Sequence, residues 1–451
     1  MKDVILHAFN WKYRDIIGRL DEISDSGFGA VLIAPPLYSN PDGRDWWQRY
    51  QPKDYRILLS YLGDKPDLEE LIDTAHGKGL RIYADIVLNH MANEARDSSE
   101  KLNFPGKTEL TKYASDREKY EANRVYGDLN HGLFSKWDFN DQVNIVDWKN
   151  RYDVQYRQLS NLPDLRDNHW VLKQQRELFY ALNRMGFDGF RLDAIKHLNE
   201  RQIDNIADQH FLQKSFLFGE VLTTNETEVD VFMKPYLSET HISAYDFPLQ
   251  EQIRKAFGYG DSLKRLINPF AYGKCLHWSR AVTFTVNHDL PLNEDFRSLM
   301  LDHQDEFLAN VYIMARDGGV PLVYSDNNES LEENGDGKSH PEDRDRWANA
   351  YKRADIRAMI EFHNAVAGKP MAMLYEHDDY LVFRRGSKGI VAINKSDQWV
   401  HADIWLYGIK NPSKFKELIH GYHMELHGQE RLNLAISPRS AQIWLAQSAA
   451  A

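Results

Sequence analysis

Asp193 and Glu220 are the two carboxyl groups best placed to act on one bond. Each closes a short apolar run, GFRLDAIKH (189–197) and FGEV (218–221), that reads as the end of a buried strand. They stand 27 positions apart, one strand–helix unit, so they end neighbouring strands, which lie about 4.8 Å from each other. Two carboxyls so placed can cleave a glycosidic bond: one protonates the leaving oxygen and the other attacks the anomeric carbon. A gap near ~5 to 5.5 Å favours retention through a covalent glycosyl-enzyme over the wider inverting arrangement. Arg191 shares a strand face with Asp193, and its fixed charge keeps a nucleophile ionised. Glu220 must hold a proton near neutral pH, which calls for an apolar or like-charged setting; Phe218 fits that need. DIVLNH (85–90) and FTVNHD (284–289) deliver Asp85, His90, His288 and Asp289 in the same manner.

Positioning these groups takes a repeated scaffold. Eight short apolar runs are strand candidates: VILHAF from Val4, AVLIAP from Ala30, RIYADIV from Arg81, GFRLDAI from Gly189, SFLFGEV from Ser215, HISAYDF from His241, AVTFTVNH from Ala281 and VPLVYSD from Val320. Amphipathic stretches such as DLEELIDTAHGKG (67–79) lie between them, so the pattern predicts an α/β fold, a closed (β/α)8 TIM barrel with its site at the carboxyl ends of the strands. About 100 residues separate the third strand from the fourth, too many for one βα unit. A small domain without helical period is therefore expected at 91–165, between barrel segments 1–90 and 166–367. Beyond it, YLVFRR, GIVAIN, VHADIWLY and AQIWLA alternate with period two, which predicts an antiparallel β-domain over 368–451.

Composition narrows the function. The 451 residues carry a formal net charge of -12, which repels phosphate backbones and excludes nucleic acid as a partner. A single cysteine, Cys275, excludes internal disulfides. No apolar run approaches the roughly 18 residues of a membrane span, so no membrane association is expected. The start MKDVILHAFNW has no leader character and favours a cytoplasmic protein, with secretion after removal of a leader as the alternative. A monomer is expected.

Together with GFGAVLIAPP (27–36), LPDL (162–165) and WWQRYQPKDY (46–55), the four polar-ended segments resemble the α-amylase family of retaining glycoside hydrolases over nearly the whole chain. The resemblance implies endo-hydrolysis of α-1,4 bonds in starch-like glucans and malto-oligosaccharides. Asp193 would be the nucleophile, Glu220 the general acid and then base, and Asp289 the carboxylate that binds ring hydroxyls. His90 and His288 would hydrogen-bond the sugar in the cleavage subsite. Tyr50 would stack beneath it, Trp46 and Trp47 would offer further apolar faces and Gln51 a hydrogen bond. Lys196 and His197 would line the leaving-group side. The family commonly holds a structural Ca2+, here matched by Asn89, Asp164 and the His197 carbonyl, all oxygen donors of the kind calcium takes; Asp153 is a candidate for completing the shell. Some relatives bind chloride through Arg191, Asn287 and a third basic residue near strand eight. VPLVYSDNNES offers none, so no chloride is expected. It also carries Ser325 and Asn327 where the family has Gly and Glu. A glucanotransferase or exo-acting α-glucosidase shares the machinery, and a non-catalytic glucan-binding barrel is the reading from another class. Two residues are assigned to structure: His7 to the core, and Asp85 to support of His90 and Arg191. Of the two tryptophans, one is expected in the cleft and one buried.

Overall fold

The computed structural model describes residues 2–93, 107–206, 209–258, 260–327, 343, 345–410 and 413–447. Eight parallel strands close into a barrel in chain order: β1 (Ile5–Ala8), β2 (Ala30–Ile33), β3 (Arg81–Val87), β4 (Gly189–Asp193), β5 (Phe216–Gly219), β6 (Ser243–Tyr245), β7 (Ala281–Thr283) and β8 (Val320–Ser325). Each lies within one of the eight predicted runs. They read as unbroken apolar stretches because both faces are covered, as in any all-parallel sheet.

Alternation along the strands sorts two cores. Ile5, Leu32, Tyr83, Phe218, Tyr245 and Leu322 fill the barrel, while Leu6, Val31, Ile82, Phe190 and Leu217 pack outward against the helices. With a period of two, the inward file that holds Tyr83 continues to Asp85, and the one that holds Phe218 continues to Glu220. The chemistry-bearing groups are thus the top layer of the barrel filling. Helices between strands carry ordinary stop signals: Asn168 caps His169–Met185, which Gly186 ends at φ 111°.

The insertion departs from the irregular segment expected. Among its described residues it holds helices Lys107–Ser115, Arg117–Ala122 and Arg151–Tyr156, while 94–106 lies outside the described residues. Its base is tied to the barrel by a bridge between His90 and Asp164. Beyond the barrel, β9 (Met371–Glu376), β10 (Tyr380–Arg385), β11 (Gly389–Asn394), β13 (Ser413–Glu417), β14 (His423–Leu426) and β16 (Ser440–Ala446) form a six-stranded antiparallel sheet. A two-stranded sheet of β12 (Val400–Trp405) and β15 (Arg431–Ile436) accompanies it. Leu381, Phe383, Val391 and Ile443 join the main core. Val382, Ile390 and Ala392 face the other way, onto Ala402, Ile404, Leu434 and Ile436. The C-terminal domain is therefore a sandwich laid on the barrel, and β12 and β15 are its outermost layer.

Candidate active site

Arg191 is the centre of the site. Its side chain is fully buried, and one guanidinium holds three carboxyl groups: Nη1 reaches Asp85 Oδ2 at 2.7 Å and Asp193 Oδ1 at 2.8 Å, and Nη2 reaches Glu220 Oε2 at 2.8 Å. Leu192 and Gly219 are paired across β4 and β5, so Asp193 and Glu220 follow at the same level of adjacent strands. Ala194, next to the proposed nucleophile, has φ 47°. This left-handed conformation is rarely held without surrounding support. It turns the Ala194 N–H onto Glu220 Oε2 at 3.1 Å.

The electrostatics correct two expectations. Glu220 was expected to sit in an apolar or like-charged setting that raises its pKa. Burial does push it upward, but Arg191, a hydrogen bond with Asp289 and the Ala194 N–H outweigh burial and hold it below the usual range. Phe218 lies one layer down the same inward file, its ring 5.2 Å from that of Tyr245. Burial drives Asp289 well up, helped by the charge of Glu220 and the hydrogen bond between them. Arg191 was likewise expected to keep Asp193 ionised, but burial, with the push of Glu220 and Asp85, outweighs that pull and raises it. Asp193, Glu220 and Asp289 thus share protons as a set in the field of Arg191, with Glu220 the most readily ionised and Asp289 the most readily protonated. Replacing Arg191 with Leu leaves that set without its cation, and a stability loss of about 3–5 kcal/mol is expected on chemical denaturation.

Asp85 braces Arg191 and accepts from the Tyr50 hydroxyl at 3.0 Å; no bond to His90 accompanies these. Its carboxyl is pushed up to about 6 by burial, against the pull of Arg191. His90 instead donates Nε2–H to the Tyr50 carbonyl at 2.9 Å, and its Nδ1 lies 3.4 Å from Asn89 Nδ2. Both nitrogens of the ring expected to meet the sugar are therefore engaged by protein. Burial lowers its pKa to about 4, so it is neutral at pH 7. Tyr50 stacks on His288 at 5.1 Å, and Phe9 stacks on the same imidazole at 4.5 Å. Burial and Arg191 hold His288 well below its ordinary value. Trp46 is half-buried and packs on this stack, 5.9 Å from Tyr50, and Trp47 is exposed, so neither is the buried one of the pair that was expected; Gln51 ends the turn that carries them. His7 lies beneath, in edge contact with His288, lowered to about 3 by burial.

On the other side, Lys196 lies 3.7 Å from Glu228 and over the Phe232 ring. His197 donates from Nδ1 to the Val154 carbonyl at 3.0 Å. Trp148 of the insertion stands edge-on to His197 at 6.0 Å. No periodicity marked Trp148 in the sequence, and nothing there marked Ala194 or Phe9. Asn89 and Asp164 meet the His197 carbonyl: one amide position of Asn89 lies 3.2 Å from Asp164 Oδ1 and 3.1 Å from that oxygen. Asp164 is buried and accepts from Asn140 at 2.7 Å. Asp153 is occupied elsewhere, by Arg157 at 3.2 Å and the Asp147 N–H. At the end of β8, Tyr324 donates to Asp326 and Ser325 to the Trp347 carbonyl; residues 328–330 of VPLVYSDNNES lie outside the described residues.

A parallel barrel whose carboxyl rim gathers Asp193, Glu220 and Asp289 beside one buried arginine is equipped for glycoside hydrolysis. The family described as "Alpha amylase, catalytic domain" matches residues 12–325. An α-amylase of Aeromonas hydrophila is 44% identical over 413 residues, 90% of this chain and 86% of that protein. The chain belongs to the α-amylase family and is a glycoside hydrolase of that type. In fold it is similar to α-amylase I of Eisenia fetida, with a TM-score of 0.78 and 21% identity over 98% of this chain and 97% of that one. A mutant of that enzyme in complex with maltohexaose gives a TM-score of 0.77 at 20% identity over the same shares.

Proposed function

We propose that the chain cuts internal α-1,4 bonds of starch-like glucans with retention of configuration, using Asp193 as nucleophile and Glu220 as acid and base. The observation that carries this reading is the pair of carboxyls on one guanidinium at the ends of adjacent parallel strands. Asp193 attacks the anomeric carbon as the bond to the leaving oxygen breaks, and Glu220 gives that oxygen its proton. Water then gives a proton back to Glu220 and displaces the Asp193 ester. The hydrogen bond to Asp289, the most readily protonated of the three, keeps a proton beside Glu220 although its own pKa is depressed. Tyr50, clamped by Asp85 and stacked on His288, offers the sugar an aromatic edge. Lys196 and His197 stand on the leaving-group side. Hydrolysis of maltoheptaose followed by proton NMR should show the α-anomer first, with mixed short products. Initial β-anomer would remove the nucleophile reading; glucose alone would favour the exo-enzyme, and longer or cyclic chains the transferase.

We further propose a structural Ca2+ held by Asn89, Asp164 and the His197 carbonyl. Neutral His90 donates through Nε2, so Nδ1 is an acceptor and takes Asn89 Nδ2. That orientation turns the Asn89 oxygen towards two other oxygens, an arrangement a cation would stabilise. Burial otherwise drives the Asp164 carboxyl well up, against the pull of the single amide donor, Asn140. Six to eight oxygens complete a calcium shell, so waters supply the rest. Chelation should lower the melting temperature by several degrees, since ligand at about 100 times its Kd contributes about 2.7 kcal/mol. Asp164→Asn should lose bound calcium by atomic absorption; unchanged melting with no bound metal would sink this reading. Activity independent of chloride is also proposed, because Tyr324–Asn327 supply no cation.

A further inference from the structure

The outer face of the C-terminal domain is richer in aromatic side chains than its folding requires. Along WVHADIWLY, Val400, Ala402, Ile404 and Leu406 are buried under the sandwich, and the alternate positions face outward. Three of those outward positions are aromatic: Trp399 is 63% exposed, Trp405 55% and Tyr407 83%. Large exposed aromatics gathered on one surface mark a binding site more often than chance. We propose that this face, made by β12 and β15, is a second binding surface for the α-glucan polymer, separate from the catalytic cleft.

The intervening groups point to a neutral, hydroxyl-rich ligand. Trp405 is paired with Arg431 across the two strands, and Asp403 with Asn433. The Arg431 guanidinium lies over the indole at 4.8 Å and is ion-paired with Asp403. This chain of contacts fixes the ring before any ligand arrives, which lowers the ordering cost of binding. It also cancels the local charge, so the face complements a neutral ligand and has no excess of cations for a polyanion. Planar amide, carboxylate and guanidinium groups stand between the rings as hydrogen-bond partners for hydroxyls, where a protein interface would have a contiguous apolar centre. Trp399 directly precedes β12 and Trp405 ends it, a six-residue separation of about 20 Å at the rise of a strand, longer than one sugar and suited to a chain. The six-stranded sheet separates this surface from the barrel, so it holds polymer without entering the cleft.

The inference rests on the reading of the substrate as an α-glucan, and the experiment separates the two. Adsorption to starch granules is measured in an Asp193→Asn background, with and without Trp399→Ala and Trp405→Ala together; turnover of soluble maltoheptaose is measured in the active enzyme with the same pair. Granule affinity should fall at least about tenfold, as for loss of central aromatic anchors. Maltoheptaose turnover should stay within about twofold, as for sites that do not touch. Trp405→Phe, which keeps a flat ring, should retain most of the adsorption. Unchanged adsorption in the double variant would overturn the proposal. So would a dimer in sedimentation that becomes monomeric in it, since the face would then be a contact between two copies. Failure of the active enzyme to cut maltoheptaose, with granule adsorption intact, would remove the reading of internal α-1,4 cleavage and leave this surface standing.

Discussion

Asp193→Asn should lose about five orders of magnitude or more in kcat, as expected when a nucleophile that works as part of a unit is removed. The substitution keeps volume and a hydrogen-bond acceptor for Arg191 but removes the charge that attacks the anomeric carbon. KM should change little, because Tyr50, Lys196 and His197 are untouched. Stability should hold or rise slightly: burial and the neighbouring Glu220 and Asp85 charges push Asp193 up, so the folded state holds its proton more tightly than the unfolded chain. A group raised in this way contributes stability below its unfolded pKa and loses it as pH rises through the folded value. Replacing it with a neutral amide removes that loss, so the melting temperature of the variant should exceed that of the wild type most at alkaline pH. A residual rate within tenfold of wild type would show that Asp193 does not form the covalent bond.

The barrel was readable because each of its strands is covered on both faces. That constraint writes continuous apolar runs such as AVLI at Ala30–Ile33, and polar residues appear only where the strand leaves the core. The insertion was legible from the gap between the third and fourth strands, but its helices were not. Helix Lys107–Ser115 is a polar stretch held by tertiary contacts: Glu109 accepts from the Tyr38 hydroxyl, and Tyr113 and Tyr120 pack against Tyr38 across more than 70 positions. The C-terminal strand Ser413–Glu417, SKFKE, likewise has one wholly apolar residue to mark its buried side. At the site, spacing along a strand correctly placed Arg191 beside Asp193, since both lie on one inward file. It could not show that the same guanidinium also reaches Glu220, which comes from the neighbouring strand, nor that His90 turns to the Tyr50 carbonyl. Contacts between strands depend on register, and register is set by the closed barrel as a whole.

Glu220→Gln should lose about three to five orders of magnitude on starch, more than the 10² to 10⁴ typical of general acid–base catalysis alone because both chemical steps use this group. The two steps can be told apart. A substrate with a good leaving group needs no proton in the first step, so the variant should still release that group in a burst and then stall at the glycosyl-enzyme. Azide, a small anion that needs no general base, should restart turnover and yield a glycosyl azide of retained configuration. The pH dependence has a definite sign. The Glu220 charge raises both Asp193 and Asp289, and the amide has no charge, so both carboxyls should ionise at lower pH in the variant. The acidic limb of the burst rate, which follows ionisation of Asp193, should therefore move to lower pH. The alkaline limb, which in wild type reports loss of the proton shared by Glu220 and Asp289, should flatten for the activated substrate. An acidic limb that moved upward would mean that Arg191, freed from Glu220, no longer bears on Asp193, and the shared-cation account of the site would fail.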